Sequence, residues 1–86
     1  MNALICPVCQ KSKLVIYLNK DNRYNYRCKC SVNFFFKEDP PALHSLLIAK
    51  IDTHGLFCSK RLIFFVNALT QQLEIICDTC DYFSCL

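Results

Sequence analysis

Cys6-Pro7-Val8-Cys9, followed after eighteen residues by Cys28-Lys29-Cys30, has a counterpart further along the chain: His54-Gly55-Leu56-Phe57-Cys58, followed after another eighteen by Cys77-Asp78-Thr79-Cys80. Each set offers four soft ligands in two close pairs, which is what a tetrahedral zinc ion requires of a short polypeptide. One metal-binding plan is stated twice, and that plan decides the fold. Two Zn2+ ions are expected, one on Cys6, Cys9, Cys28 and Cys30, the other on His54, Cys58, Cys77 and Cys80.

Size argues the same way. The chain has 86 residues, and a half of about 40 residues is too small for an apolar core to hold it alone. Its eight cysteines could instead form four disulfides, but that needs an oxidising compartment. Met1-Asn2-Ala3-Leu4-Ile5 has neither a basic start nor an apolar stretch of signal-peptide length, so the reading favours zinc in a reducing, intracellular, cytoplasmic setting. The longest apolar runs, Leu46 to Ala49 and Leu62 to Val66, fall far short of the roughly 20 residues that span a bilayer. No membrane segment is expected.

Between the ligand pairs of the first half, Lys13 to Leu18 is β-branched and aromatic, Asn19 to Asn22 has turn chemistry, and Arg23 to Arg27 alternates on the way back to Cys28. Val32 to Lys37 reads as a third strand. This is the layout of a zinc ribbon. A shift of 49 residues lays the second half on the first without a gap from Cys9 to Cys28. It sets Leu14 on Ile63, Val15 on Phe64, Ile16 on Phe65, Tyr26 on Ile75 and Phe34 on Phe83. Internal duplication accounts for the match economically.

In the connector, Asp39 can cap a helix, Pro40 and Pro41 suit its first turn, and Leu43, Leu46, Leu47 and Lys50 or Ile51 recur at helical spacing. A helix of about ten to twelve residues is expected, packed between the ribbons. The predicted fold is a small metal-bound α+β protein: a first zinc ribbon over residues 1–38, a helical connector over 39–53 and a second ribbon over 54–86. Leu62 to Val66, apolar on both faces, must bury its second face on the helix, on the first ribbon or in a homodimer.

Within the second set, Cys58, Cys77 and Cys80 belong together, and the fourth ligand is His54 or, in the alternative, Cys85. Gly55 would ease a tight turn beside His54. His44, mid-helix, reads as packed or exposed. Catalytic zinc keeps a position open for water beside a general acid or base. Here two full tetrads can be drawn, and Glu38 and Glu74, the only glutamates, sit in neither a deaminase nor a protease motif, so no enzymatic activity is expected.

The two halves differ in charge. Residues 1–40 carry seven Lys or Arg against three acids, whereas residues 41–86 carry three against four. Arg23, Arg27, Lys29 and Lys37 interleave with Tyr24, Tyr26 and Phe35, a pattern suited to stacking on unpaired bases and meeting phosphate. The same pattern also suits an aromatic ribbon core with solubilising cations.

With Cys6-Pro7-Val8-Cys9-Gln10, Tyr26-Arg27-Cys28 and Cys30-Ser31-Val32-Asn33-Phe34, the first 38 or so residues resemble the small zinc-finger late-transcription activators of temperate bacteriophages. That resemblance implies a four-cysteine zinc site and contact with RNA polymerase and promoter DNA. The spacer is shorter here and the second pair is closer than in that family. The resulting expectation is a structural accessory protein contacting single-stranded nucleic acid or a transcription protein. The alternative is a protein-interaction adaptor without nucleic-acid binding, for which Leu62 to Val66 offers a homodimer face, and a more remote one is redox sensing through Cys85 or a labile metal ligand.

Overall fold

A computed structural model describes residues 4–86; Met1, Asn2 and Ala3, counted above in the first ribbon, lie outside the described residues. Three short strands, β1 (Val15–Leu18), β2 (Tyr24–Arg27) and β3 (Asn33–Phe36), form an antiparallel sheet in that order. Helix α1 (Pro40–Gly55) follows, and β4 (Ile63–Val66), β5 (Leu73–Ile76) and β6 (Phe83–Cys85) repeat the arrangement in a second sheet. The expected α+β architecture of two ribbons and a helix is therefore present. Each ribbon is a full three-stranded sheet.

The helix is capped as its sequence dictates: the Asp39 carboxylate accepts from the Ala42 amide at 3.1 Å, and prolines fill the first two positions, where no amide partner is needed. At 16 residues it exceeds the ten to twelve expected. It continues because its last turn is fastened: His54 is buried, and its carbonyl accepts from the amides of Phe57 and Cys58 at 3.2 and 3.0 Å. Gly55 lies inside the helix at ordinary negative φ, and a Cβ there would meet nothing within 4 Å. The turn-easing role expected of Gly55 is not used. Gly55→Ala should accordingly stabilise the protein by about 0.5–1 kcal/mol, by restricting the unfolded chain, read as a raised urea midpoint at unchanged slope.

The ungapped overlay of the two halves needs correction strand by strand. Ile16, Tyr26 and Phe34 form one cross-strand row in the first sheet, and Phe64, Ile75 and Ser84 form the corresponding row in the second. By this register β4 matches β1 at a shift of 48, β5 matches β2 at 49, and β6 matches β3 at 50. One residue fewer between Cys58 and β4 is offset by one more in the β4–β5 turn, so the cysteine spacing conceals both. The extra residue between Cys77 and Cys80 displaces β6. Because a slip of one position turns a side chain to the other face, Phe83 is not the counterpart of Phe34. Phe34 is fully buried, Phe83 is 59% exposed, and Ser84 takes the inward place. Likewise Leu14 is 4% exposed and Ile63 43%.

Both sheets turn their inner faces to one core. Tyr26, Phe34 and Phe36 from the first, Leu43 and Leu47 from the helix, and Leu73 and Ile75 from the second are buried together. A backbone hydrogen bond from the Phe35 amide to the Gln71 carbonyl, 2.9 Å, joins the sheets directly. Leu62, just before β4, and Phe64 and Val66 within it pack against this core, so much of the apolar run offered as a dimer face is spent within the chain.

Candidate metal centres

Each centre is built from two turns that the sheet holds side by side. In the first, residues 4–6 run antiparallel to 12–14, with the Cys6 amide donating to the Ser12 carbonyl and the Leu14 amide to the Leu4 carbonyl, each at 2.8 Å. The intervening turn presents Cys6 and Cys9. Its tightness requires left-handed backbone after the second cysteine, and Gln10 adopts φ 58° there; Ser31, after Cys30, adopts 79°. These are the positions where knuckles of this kind commonly carry glycine. Cys28 and Cys30 lie in the β2–β3 turn, closed by the Cys28 amide on the Val32 carbonyl at 3.0 Å.

The second centre joins a helix to a turn. His54 on the last turn of α1 and Cys58 four residues on are brought together by the Cys58–His54 backbone bond, while Cys77 and Cys80 come from the β5–β6 turn. Cys85, the other candidate for the fourth ligand, is engaged elsewhere: this exposed thiol donates to the Gln72 side chain at 3.1 Å. His44 is exposed on the helix.

In each tetrad all four ligand atoms lie within 4.8 Å of one another. Cys6 Sγ stands 3.9 Å from Cys30 Sγ, Cys9 Sγ 3.6 Å from Cys28 Sγ, and Cys58 Sγ 3.9 Å from Cys77 Sγ. A tetrahedron with metal–sulfur bonds of about 2.3 Å has edges of about 3.8 Å. All eight cysteines are free thiols. Nε2 of buried His54 has no hydrogen-bond partner among the described residues, an arrangement that costs stability unless something coordinates it. Each cluster is thus shaped to hold a metal ion.

The electrostatics of the thiols also call for a cation. Amides of Lys11 and Ser12 aimed at Cys9 bring its thiol down to about 6, and amides of Cys80 and Thr79 do the same for Cys77. Burial outweighs the amides of Cys9 and Val8 at Cys6 and pushes it up to about 12; burial also raises Cys30 and Cys80. Each cluster thus sets one thiol that ionises more easily, Cys9 or Cys77, beside thiols that burial makes harder to ionise, Cys6 and Cys30 in the first and Cys80 in the second. A divalent ion is what lets Cys6, Cys30 and Cys80 ionise.

The residues assigned to nucleic acid divide. Arg23, Arg27, Lys29 and Lys37 are exposed and Tyr24 is half-buried. Tyr26 is a correction: it is fully buried, stacked on Phe34 at 5.1 Å, with its hydroxyl donating to the Glu38 carbonyl at 2.7 Å. Burial pushes its phenol well above the ordinary tyrosine range, and no base can reach it. Of the aromatics read with the arginines, strand alternation keeps Phe35 on the outer face and turns Tyr24 and Tyr26 inward, and it adds Tyr17, absent from that pattern. Reading β1 and β2 as a register rather than as separate strings would have found this.

No helix among the described residues is long and apolar enough to cross a membrane. No solved structure matches the chain. A RIP-like protein of Drosophila melanogaster is 33% identical over 81 residues, covering 94% of this chain and 39% of that protein. The chain therefore spans well under half the length of this relative. The family described as Replication protein A interacting C-terminal matches residues 5–85. That match covers both ligand tetrads and the core between them, whereas the likeness to phage activators reached only the first ribbon. The chain belongs to the Replication protein A interacting C-terminal family.

Proposed function

We propose that this chain is a zinc-stabilised, non-catalytic interaction module that binds replication protein A. The observation that carries the reading is the family match across residues 5–85, which takes in every proposed ligand and every element of the shared core. Cys6, Cys9, Cys28 and Cys30 would hold one Zn2+ and His54, Cys58, Cys77 and Cys80 the other; four protein ligands to each ion leave no coordination site for water or substrate. Bound zinc would supply cross-linking rather than reactivity. Such a partner puts the module inside the cell, with the nucleus as its place of work.

The test is direct association of the zinc-loaded protein with purified replication protein A, followed by sedimentation. Binding that disappears on chelation is expected. No association at about 100 μM, where weak transient contacts still register, would overturn the reading.

Zinc loading should depend on pH with a definite sign. Cys6, Cys30 and Cys80 are raised, hold protons at neutral pH and must release them to the solvent as the ion enters, so apparent affinity rises with pH. Below about 6 the thiols of Cys9 and Cys77 must be deprotonated as well, and the dependence steepens. Competition against a chromophoric chelator from pH 5 to 8 measures this; a flat profile would contradict thiolate ligation.

A further inference from the structure

We propose that the outer face of the first sheet docks an acidic, carboxylate-bearing segment of the partner, with Arg23 and Arg27 as its receptors and Val15 and Tyr17 as the apolar floor. The proposal rests on the interaction reading above and names the surface that performs it.

Cross-strand register assembles this face. Val15, Arg27 and Asn33 form one row and Tyr17, Asn25 and Phe35 the next, all directed away from the core. Val15 and Tyr17 are each about half exposed, at 53% and 50%. Over this floor the Arg27 guanidinium lies 4.9 Å from the Tyr17 ring centre, and that of Arg23 lies 5.0 Å from the Phe35 ring centre. Each arginine is held by a ring face.

Arg27 is further fixed by a polar relay beneath it. Its Nε donates to Asn25 Oδ1 at 2.6 Å, and the Asn25 amide donates to Asn33 Oδ1 and to the Phe34 carbonyl, the latter at 3.2 Å. Asn25 is almost wholly buried, an uncommon place for an amide on a sheet's outer face. These bonds hold the guanidinium through Nε, while Arg27 itself is exposed and its terminal nitrogens make no hydrogen bond among the described residues.

Two pre-oriented guanidinium forks match carboxylates, which they grip in pairs of parallel hydrogen bonds, at little further cost in side-chain entropy. Exposed Lys11, Lys13, Lys20 and Lys29 surround the same sheet, and the first half carries the chain's excess positive charge. This field repels a second copy of the sheet and attracts an acidic partner. Single-stranded nucleic acid fits less well. Bases bind such surfaces by stacking on open aromatic faces, and here the chain's own arginines already lie on the Tyr17 and Phe35 rings.

The test uses the zinc-loaded, 15N-labelled protein with three probes: replication protein A, a synthetic peptide of alternating Asp, Glu and Phe, and oligo-dT. Resonances of Tyr17 and Phe35 and the Nε–H signals of Arg23 and Arg27 should shift with the peptide more than with oligo-dT. Arg23→Glu/Arg27→Glu should weaken replication protein A binding by tenfold or more with unchanged zinc content, and Arg27→Lys, which keeps charge but loses the fork, by severalfold. Peptide shifts centred elsewhere, or larger responses to oligo-dT, overturn the proposal. Undiminished binding of replication protein A by the double variant overturns it while the interaction reading stands. Should replication protein A bind neither form, that reading fails, and the peptide and oligo-dT titrations still decide the chemistry of this face.

Discussion

Stripping both ions with a strong chelator under reducing conditions should unfold the whole chain. Structural zinc contributes about 10–16 kcal/mol of apparent binding free energy in small peptides at neutral pH, against a total stability of about 5–15 kcal/mol for an ordinary domain. The sheets are too short to survive that loss: each strand has three or four residues. Each tetrad ties the segment before the first strand of its ribbon to the turn between the second and third. Releasing it lets the sheet open at the end where the ligands converge. Because Leu43 and Leu47 pack with residues of both ribbons, neither half has a separate core to retain. Far-ultraviolet circular dichroism should lose helix and strand signals together, and zinc should restore both. A metal-free protein that still melts cooperatively at its original temperature would refute the metal-dependent fold.

Tyr26→Ala should be the most damaging change away from the ligands, costing about 3–5 kcal/mol in the zinc-loaded protein, the usual penalty for emptying a buried aromatic site. Tyr26 reaches across three elements. Its ring stacks on Phe34 of β3, it stands opposite Ile16 of β1, and its hydroxyl ties down the Glu38 carbonyl just before the helix cap. Tyr26→Phe keeps the ring and loses only the hydrogen bond, at about 1 kcal/mol. Urea titration of the three proteins measures both steps. If Tyr26→Ala behaved as a surface substitution and reduced only nucleic-acid binding, the assignment of Tyr26 to the core would be wrong.

Much of this fold was legible because its strongest signals are local. Cysteine pairs at chelating distance, Asp39 before two prolines, and Asn19 with Asp21 and Asn22 between β-rich segments each specify a turn or cap without reference to the rest of the chain. Asn19 does what its chemistry suggests, accepting from the amides of Asp21 and Arg23 at 3.0 Å. The helix end was less legible, since Thr53-His54-Gly55 has weak helical propensity and continues the helix only because burial of His54 holds the last turn. Tyr24 and Tyr26 misled because alternation reveals that two aromatics share a face but not which face meets the core.

Sequence by itself determined the closely spaced cysteine pairs on turns, the order of sheet, helix and sheet, and the helix cap, because each depends on residues within a few positions of one another. Tertiary structure alone decided that the ribbons share one core, that His54 rather than Cys85 completes the second cluster, and that the repeats are offset by 48, 49 and 50 residues in successive strands. Those outcomes depend on strand register and on which faces are buried together. Both are set by contacts between distant segments, where a single inserted residue exchanges inside for outside.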